Sequence, residues 1–137
     1  MSELIVEVGT LKFSGRLEEG RAPKTCAAIR RLLPFENYLI QARWSGQAGW
    51  VPLGNLELGV AEENATATPA PGELLLYPAG ISETEILFPY GLTRFASKEG
   101  ELRGNHFLTI VGGRERLGEV GELVLWKGAQ PIRIYVA

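Results

Sequence analysis

The sequence is poor in cysteine and histidine, the residues of disulfide bonds and of zinc-type metal sites. Cys26 is its one cysteine and His106 is its one histidine. A single cysteine excludes an internal disulfide bond and a multi-cysteine metal site. Nothing near His106 in the sequence supplies a nucleophile and a base together. We therefore expect no metal and no cofactor, and the lone thiol suits a reducing compartment.

Clustered positive charge and long hydrophobic runs are also missing. The chain has 14 lysine and arginine residues against 16 aspartate and glutamate residues, a net charge of −2. Nucleic acids and anionic membranes are bound through clustered basic residues, and no apolar run approaches the ~20 residues that span a bilayer. Met1-Ser2-Glu3 lacks the basic and apolar segments of a signal peptide. These features predict a soluble, cytoplasmic protein that binds neither nucleic acid nor membrane.

Short apolar segments with a period of two dominate what is present. The 137 residues are 45% hydrophobic and 22% charged, which is enough to bury one core without disulfides, and we predict one domain over residues 1–137. Alternation between turn residues predicts strands at residues 3–8, 11–18, 38–44, 48–53, 74–77, 84–88, 107–111 and 132–136. Residues 74–77 are apolar throughout, which indicates burial on both faces. Pro52 places the end of its strand at an edge or rim.

One segment changes clearly to the helical period. Residues 23–33 begin at Pro23, which the first turn of a helix tolerates because its missing N–H would have no partner there. Cys26, Ile29 and Leu33 form an apolar stripe, and Pro34 ends the segment. We predict a helix over residues 23–33, with Cys26 as part of the core.

Residues 114–127 are ambiguous. An apolar stripe at the helical period, with Gly128 as the C-terminal cap, indicates a helix. The apolar run at residues 123–126 would also fit a strand. Gly118 and Gly121 each weaken a helix by roughly 1 kcal/mol. We favour the helix.

About eight strands joined mainly by hairpins predict a mainly β, antiparallel fold. Closure into a barrel removes unpaired edges, so we predict a closed antiparallel β-barrel of about eight strands with two capping helices. Residues 54–72 form the longest segment without regular structure, which is typical of a functional or mobile loop. Six glutamates, scattered through segments expected to be loops, are interpreted as solvated charges: Glu62, Glu63, Glu83, Glu85, Glu99 and Glu101.

Residues 22–32 and 102–107 resemble parts of the cyclophilins. In the first helix of that family, proline, lysine and threonine precede an aromatic or aliphatic residue, an arginine and a leucine. The matching positions here are Pro23, Lys24, Thr25, Ile29, Arg30 and Leu32. Gly104-Asn105-His106 is similar to the family's turn before an apolar strand. The resemblance implies a cyclophilin-like barrel and a place for His106 in a ligand groove.

Two further features are similar to small bacterial cyclophilin-like proteins of uncharacterised function, and within them to the DUF3830 group. These are the Arg43-Trp44-Ser45-Gly46 hairpin and the Tyr90-Gly91 step.

The residues of a prolyl isomerase are displaced or replaced. Gln47-Ala48-Gly49 follows Arg43 sooner than the family's glutamine-glycine-glycine element follows its arginine. Counted back from His106, the family's groove tryptophan falls on Glu101 and its pocket phenylalanine on Thr93. We therefore expect no conventional prolyl isomerase activity.

Four residues are candidates for binding a ligand: Arg43, Trp50, Tyr90 and His106. Arginine and histidine donate hydrogen bonds to carboxylate or amide oxygens, and aromatic residues at strand ends line grooves. Each also has a structural interpretation, as a solvated strand residue, a core aromatic or a structural histidine. No catalytic residues are assigned.

Three functions are consistent with this sequence. The first is a barrel that binds a small carboxylate or amide ligand, and the second is a weak peptidyl-prolyl cis-trans isomerase. The third is a non-catalytic subunit of an amide-hydrolysing complex, since cyclophilin-like domains occur in allophanate hydrolase and 5-oxoprolinase systems. A homodimer would cover the rim aromatics and the strand edge marked by Pro52.

Overall fold

The structure is a computed structural model that describes residues 3–137. Its strands and helices follow one another along the chain as β1 (Glu3–Val8), β2 (Leu11–Leu17), α1 (Pro23–Leu32), β3 (Phe35–Gln41), β4 (Gly46–Gly54), β5 (Ala65–Thr66), β6 (Glu73–Tyr77), β7 (Thr84–Thr93), β8 (Ala96–Ser97), β9 (Gly100–Glu101), β10 (Gly104–Gly112), α2 (Leu117–Trp126) and β11 (Gln130–Val136).

Eight of these strands close into an antiparallel barrel, which confirms the predicted fold class. The order is β2-β1-β11-β3-β4-β7-β6-β10, and β10 pairs back onto β2. β3 pairs with β4 only where Ile40 faces Trp50 and Gln41 faces Gly49. Pro52 lies beyond that pairing, so its missing N–H removes no bond to β3.

The two helices begin and end close to the predicted positions. α1 starts at Pro23 and buries Cys26 and Ile29. The ambiguous segment is a helix, α2, and a short 3₁₀ turn precedes it. Trp126 is 79% exposed, whereas a buried strand would have covered it. Gly128 has a φ of +89° just after the helix, as the predicted cap requires. No helix within residues 3–137 is both long and apolar enough to span a bilayer.

Strands β6 and β7 are covered on both faces because the molecule has two hydrophobic clusters. Leu74, Leu76 and the inward residues of the other barrel strands fill the barrel interior, together with residues of both helices. Leu75 and Tyr77 point outward into a smaller cluster beneath Phe95 and Leu102. This confirms the burial of residues 74–77 and explains why their sequence does not alternate.

The long loop between β4 and β6 is held to the barrel by polar contacts. Asn105, fully buried, accepts a hydrogen bond from the Glu63 amide (3.1 Å) and donates to the Ala61 carbonyl (3.0 Å) and the Thr25 hydroxyl (3.1 Å). The Glu63 carboxylate accepts bonds from the Thr25 amide (2.5 Å) and hydroxyl (2.7 Å) in the first turn of α1. A carboxylate there favours the helix through its dipole. The expectation that Glu63 is a solvated loop charge is therefore wrong.

Candidate ligand-binding groove

A groove of about 410 Å³ opens on the outer face of the barrel, beside the smaller cluster. Ile40, Trp50 and Glu85 form its floor on β3, β4 and β7. One wall is the turn between β3 and β4, and the other is the β8–β9 hairpin. Its size falls within the ~300–1,000 Å³ typical of small-molecule sites.

The first wall is a tight turn, although the sequence pattern predicts that strand β3 continues to residue 44. Gln41 holds this turn, because its Nε2 donates to the carbonyls of Ala42 (3.0 Å) and Gly46 (3.1 Å). The Ala42 amide donates to the Ala48 carbonyl across the turn. Residues 42–45 therefore leave the sheet and turn their side chains toward the groove.

The two walls are joined through Ser45. Its buried hydroxyl donates to the Ala96 carbonyl and accepts from the Ala96 amide, both at 3.1 Å. The Arg94 amide donates to the Ser45 carbonyl at 3.0 Å. These bonds fix the spacing of the walls.

Arg43 and Lys98 bring positive charge to the groove. Both are exposed, and neither forms an ion pair within residues 3–137. The Arg43 guanidinium lies 5.5 Å from the ring centroid of Trp44, a cation–π contact. This arrangement leaves the hydrogen-bond donors of Arg43 available to an anion or a carbonyl oxygen.

Glu85 is the group that the sequence interpretation placed wrongly. It lies on β7, within the strand predicted at residues 84–88, but its residue surface is only 6% exposed, so its interpretation as a solvated charge is wrong. Burial, reinforced by the nearby negative charge of Glu83, raises the pKa of Glu85 to about 8. Its carboxyl group is thus mainly protonated at neutral pH.

Tyr90 lies inside the barrel and reaches the groove only through another residue. Its ring packs against Gly121 of α2, where a Cβ atom would come within 2.3 Å of the ring. Its hydroxyl donates to Gln41 Oε1 at 2.6 Å, and burial raises the pKa of Tyr90. Tyr90 therefore supports the residue that holds the first wall.

His106 lies elsewhere on the outer face. Cross-strand neighbours run from Trp50 to Leu87, Leu75 and then His106, so three strand spacings, roughly 14 Å, separate the Trp50 and His106 backbones. The Thr109 hydroxyl donates to Glu18 Oε2 (2.6 Å) and lies 2.8 Å from His106 Nε2. Because that hydroxyl proton is used by Glu18, His106 Nε2 is the donor in this pair. The structure brings Arg43 and Trp50 together and leaves Tyr90 and His106 outside the groove.

Comparison with known proteins places the chain in a family. The model of the family described as "Protein of unknown function (DUF3830)" matches residues 4–136. The chain belongs to the DUF3830 family. No curated protein matches it.

Two solved structures share the cyclophilin-like barrel with this DUF3830 chain. McbB, solved in complex with tryptophan, has 16% identity and a TM-score of 0.75 over 97% of this chain. The DUF3830 chain spans only 44% of the length of McbB. The hypothetical protein AF2241 from Archaeoglobus fulgidus has 19% identity and a TM-score of 0.62, covering 99% of this chain and 95% of its own. At these identities the likeness concerns the fold alone.

Sequence reasoning missed Glu85 and Gln41 in the DUF3830 groove, although one signal was available for Glu85. The sequence pattern predicts a strand at residues 84–88. If Ile86 and Phe88 point into the barrel, Glu85 and Leu87 lie on its outer face, because side chains alternate along a strand. An apolar Leu87 on that face indicates that something covers it, and hence that Glu85 is buried. No sequence pattern identifies the role of Gln41, which depends on the turn that its own side chain holds.

Cys26 has no chemical role in this arrangement. It is fully buried, its Sγ lies 3.5 Å from the Phe107 carbonyl oxygen, and burial raises its pKa to about 11. A thiol in this state is not nucleophilic at neutral pH.

Proposed function

We propose that this DUF3830 chain binds a small carboxylate or amide compound in the groove, with Arg43 holding the oxygen atoms and Trp50 contacting the apolar part. The observation that carries the proposal is the position of Arg43, which has no ion-pair partner within residues 3–137 and stands over a groove of about 410 Å³ with an aromatic floor.

The chemistry of the groove supports this class of ligand. A guanidinium group offers paired N–H donors that match a carboxylate and also serve an amide carbonyl. Trp50 is half-buried and packs against the smaller cluster, so it offers a rigid apolar surface at little cost in conformational entropy. Lys98 on the opposite wall adds a second positive charge.

Tyr90 enters the proposal as a positioning residue, because it holds Gln41 and Gln41 holds the turn that carries Arg43. A ligand role for His106 stays a prediction, and it requires a ligand long enough to reach across two strands from Trp50.

A thermal-shift screen of small carboxylates and amides tests the proposal. We expect hits whose stabilisation is lost in Arg43→Ala and largely kept in Arg31→Ala, which removes an exposed arginine of α1 that does not line the groove. Hits that stabilise Arg43→Ala as well as the wild type would show that the ligand binds elsewhere.

The exposure of Arg43 bears on the alternative of a prolyl isomerase. Lowering a barrier of ~18–20 kcal/mol by donating to the imide nitrogen needs a donor shielded from water, and Arg43 is exposed. This supports binding without isomerisation. A protease-coupled assay with proline peptides should give the uncatalysed rate at micromolar protein.

Membership of an amide-hydrolysing complex and homodimer formation stay predictions. Co-purification from the native host tests the first, and light scattering of the isolated chain tests the second.

A further inference from the structure

Glu85 is a buried carboxyl group without a partner in the protein. The residue is 6% exposed, and within residues 3–137 its pKa is set by burial and the Glu83 charge, with no hydrogen bond or ion pair to it. No fully enclosed side-chain oxygen in that range lacks a partner, so the Glu85 carboxyl oxygens must reach the groove surface that the residue lines. Its neighbours across the sheet do not pair with it: Pro52 has no N–H, and the Tyr77 hydroxyl accepts a bond from the Ile81 amide (2.9 Å) and none joins it to Glu85. Buried carboxyl groups are ordinarily paired. The open side of Glu85 is the groove.

We propose that Glu85 receives the ammonium group of an amine-bearing carboxylic acid, of the amino acid class, whose carboxylate binds Arg43. This inference rests on the proposed function, and it names the class of ligand. Glu85 on the floor can accept hydrogen bonds from a cation, and Arg43 on a wall can donate hydrogen bonds to an anion. Trp50 also lies on the floor, on the same face of β4 as Pro52, which is the residue opposite Glu85. A zwitterion with an apolar side chain matches all three.

Binding of such a ligand is linked to proton release. The charged and titratable side chains that face Glu85 come from the walls, the preceding turn and strand β6: Arg43, Lys98, Glu99, Glu83 and Tyr77. In the empty groove the raised pKa keeps Glu85 mainly protonated at pH 7. A ligand ammonium beside it favours the ionised form, so the proton leaves when the ligand binds.

Isothermal titration calorimetry with three matched probes tests the inference. L-Phenylalanine carries both charges, 3-phenylpropionate lacks the amine and phenethylamine lacks the carboxylate. At pH 7, in two buffers with different heats of ionisation, we expect wild-type protein to bind L-phenylalanine about tenfold or more tightly than either single-charge probe. Binding of L-phenylalanine should release close to one proton, and 3-phenylpropionate should release none.

Glu85→Gln keeps the shape of the side chain and should abolish both the preference for L-phenylalanine over 3-phenylpropionate and the proton release. Glu3→Gln, at an exposed glutamate of β1 that does not line the groove, is the matched control and should keep both. Equal binding of these two probes, or a preference that survives in Glu85→Gln, would overturn the inference.

The failures of the two proposals are distinguishable. Binding of 3-phenylpropionate that depends on Arg43, without any gain from the amine, overturns the ammonium site and leaves the proposed function standing. Absence of binding by all three probes overturns the ammonium site, and the wider screen then decides the proposed function. If Glu85→Gln does not fold, the proton count in the wild type alone decides, because absence of release overturns the inference.

Discussion

The burial of Glu85 predicts that this protein loses stability as the pH rises toward 8. In the unfolded chain the carboxyl group ionises near its ordinary pKa of 4.5, and in the folded chain it ionises only at about 8. Between these two values the folded state binds one proton more than the unfolded state. The free energy of unfolding therefore falls with increasing pH across this window and is level, for this group, below and above it.

The magnitude follows from the two pKa values. One pKa unit corresponds to ~1.4 kcal/mol, and a group that titrates near 4.5 when unfolded and near 8 when folded changes stability by roughly 3–4 kcal/mol between pH 5 and pH 8. Glu85→Gln removes this contribution and leaves a side chain of nearly the same volume. We expect the variant to gain roughly 3–4 kcal/mol relative to wild type when both are moved from pH 5 to pH 8.

Urea denaturation of wild type, Glu85→Gln and the control variant Glu3→Gln at half-unit steps from pH 4.5 to pH 8.5 measures this difference. Groups that do not interact with Glu85 cancel in the comparison; Glu83 is the neighbour whose charge acts on Glu85. Parallel stability curves for wild type and Glu85→Gln would refute the reasoning, since they would mean that Glu85 ionises at an ordinary pH in the folded state.

Three further predictions concern packing and chemistry. Gly121→Ala places a Cβ within 2.3 Å of Tyr90 and should destabilise the protein by about 1–3 kcal/mol. Gly118→Ala, in the same helix, meets open space and should stabilise it by up to ~1 kcal/mol. Thermal melts compare the two variants, and a change in stability of the same sign in both would contradict the close contact. Asn105→Ala removes three hydrogen bonds of a fully buried amide, one that it accepts and two that it donates. The free energy of unfolding, measured by urea denaturation, should fall by about 2–4 kcal/mol. A fall of less than ~0.5 kcal/mol would show that other contacts hold the loop. Cys26 should not react with an aromatic disulfide reagent at pH 8 until denaturant is added, and rapid labelling of the folded protein would contradict its burial.

The sequence predicted the barrel well because its strands are bounded by turn residues, and because apolar residues that face the interior alternate with residues that face outward. It predicted the helix at residues 117–126 less clearly, since Leu125 and Trp126 are apolar and yet exposed. The groove was only half predicted. Arg43 and Trp50 lie close in the sequence and share one hairpin, whereas Glu85 comes from a strand whose outer face is covered only after the β8–β9 hairpin folds over it.

Tyr90 and His106 show the limit of reasoning from residue type. An aromatic residue and a histidine at strand ends are compatible with a groove, but the side of the barrel wall that each occupies depends on register. The bulges in β10 and in the β4–β7 pairing are set by contacts between distant strands, and no local pattern encodes them.

Strands β4 and β7 carry the main core and the proposed binding groove on opposite faces of the same backbone. Val51, Ile86 and Phe88 point inward to the main core, and Trp50 and Glu85 point outward to the groove. We therefore expect outward positions on these strands to change with little effect on the interior, because Trp50 and Glu85 are not part of the main core. Such a scaffold can acquire new ligands by drift at a few outward sites, and a combinatorial library restricted to them should yield folded variants of altered specificity.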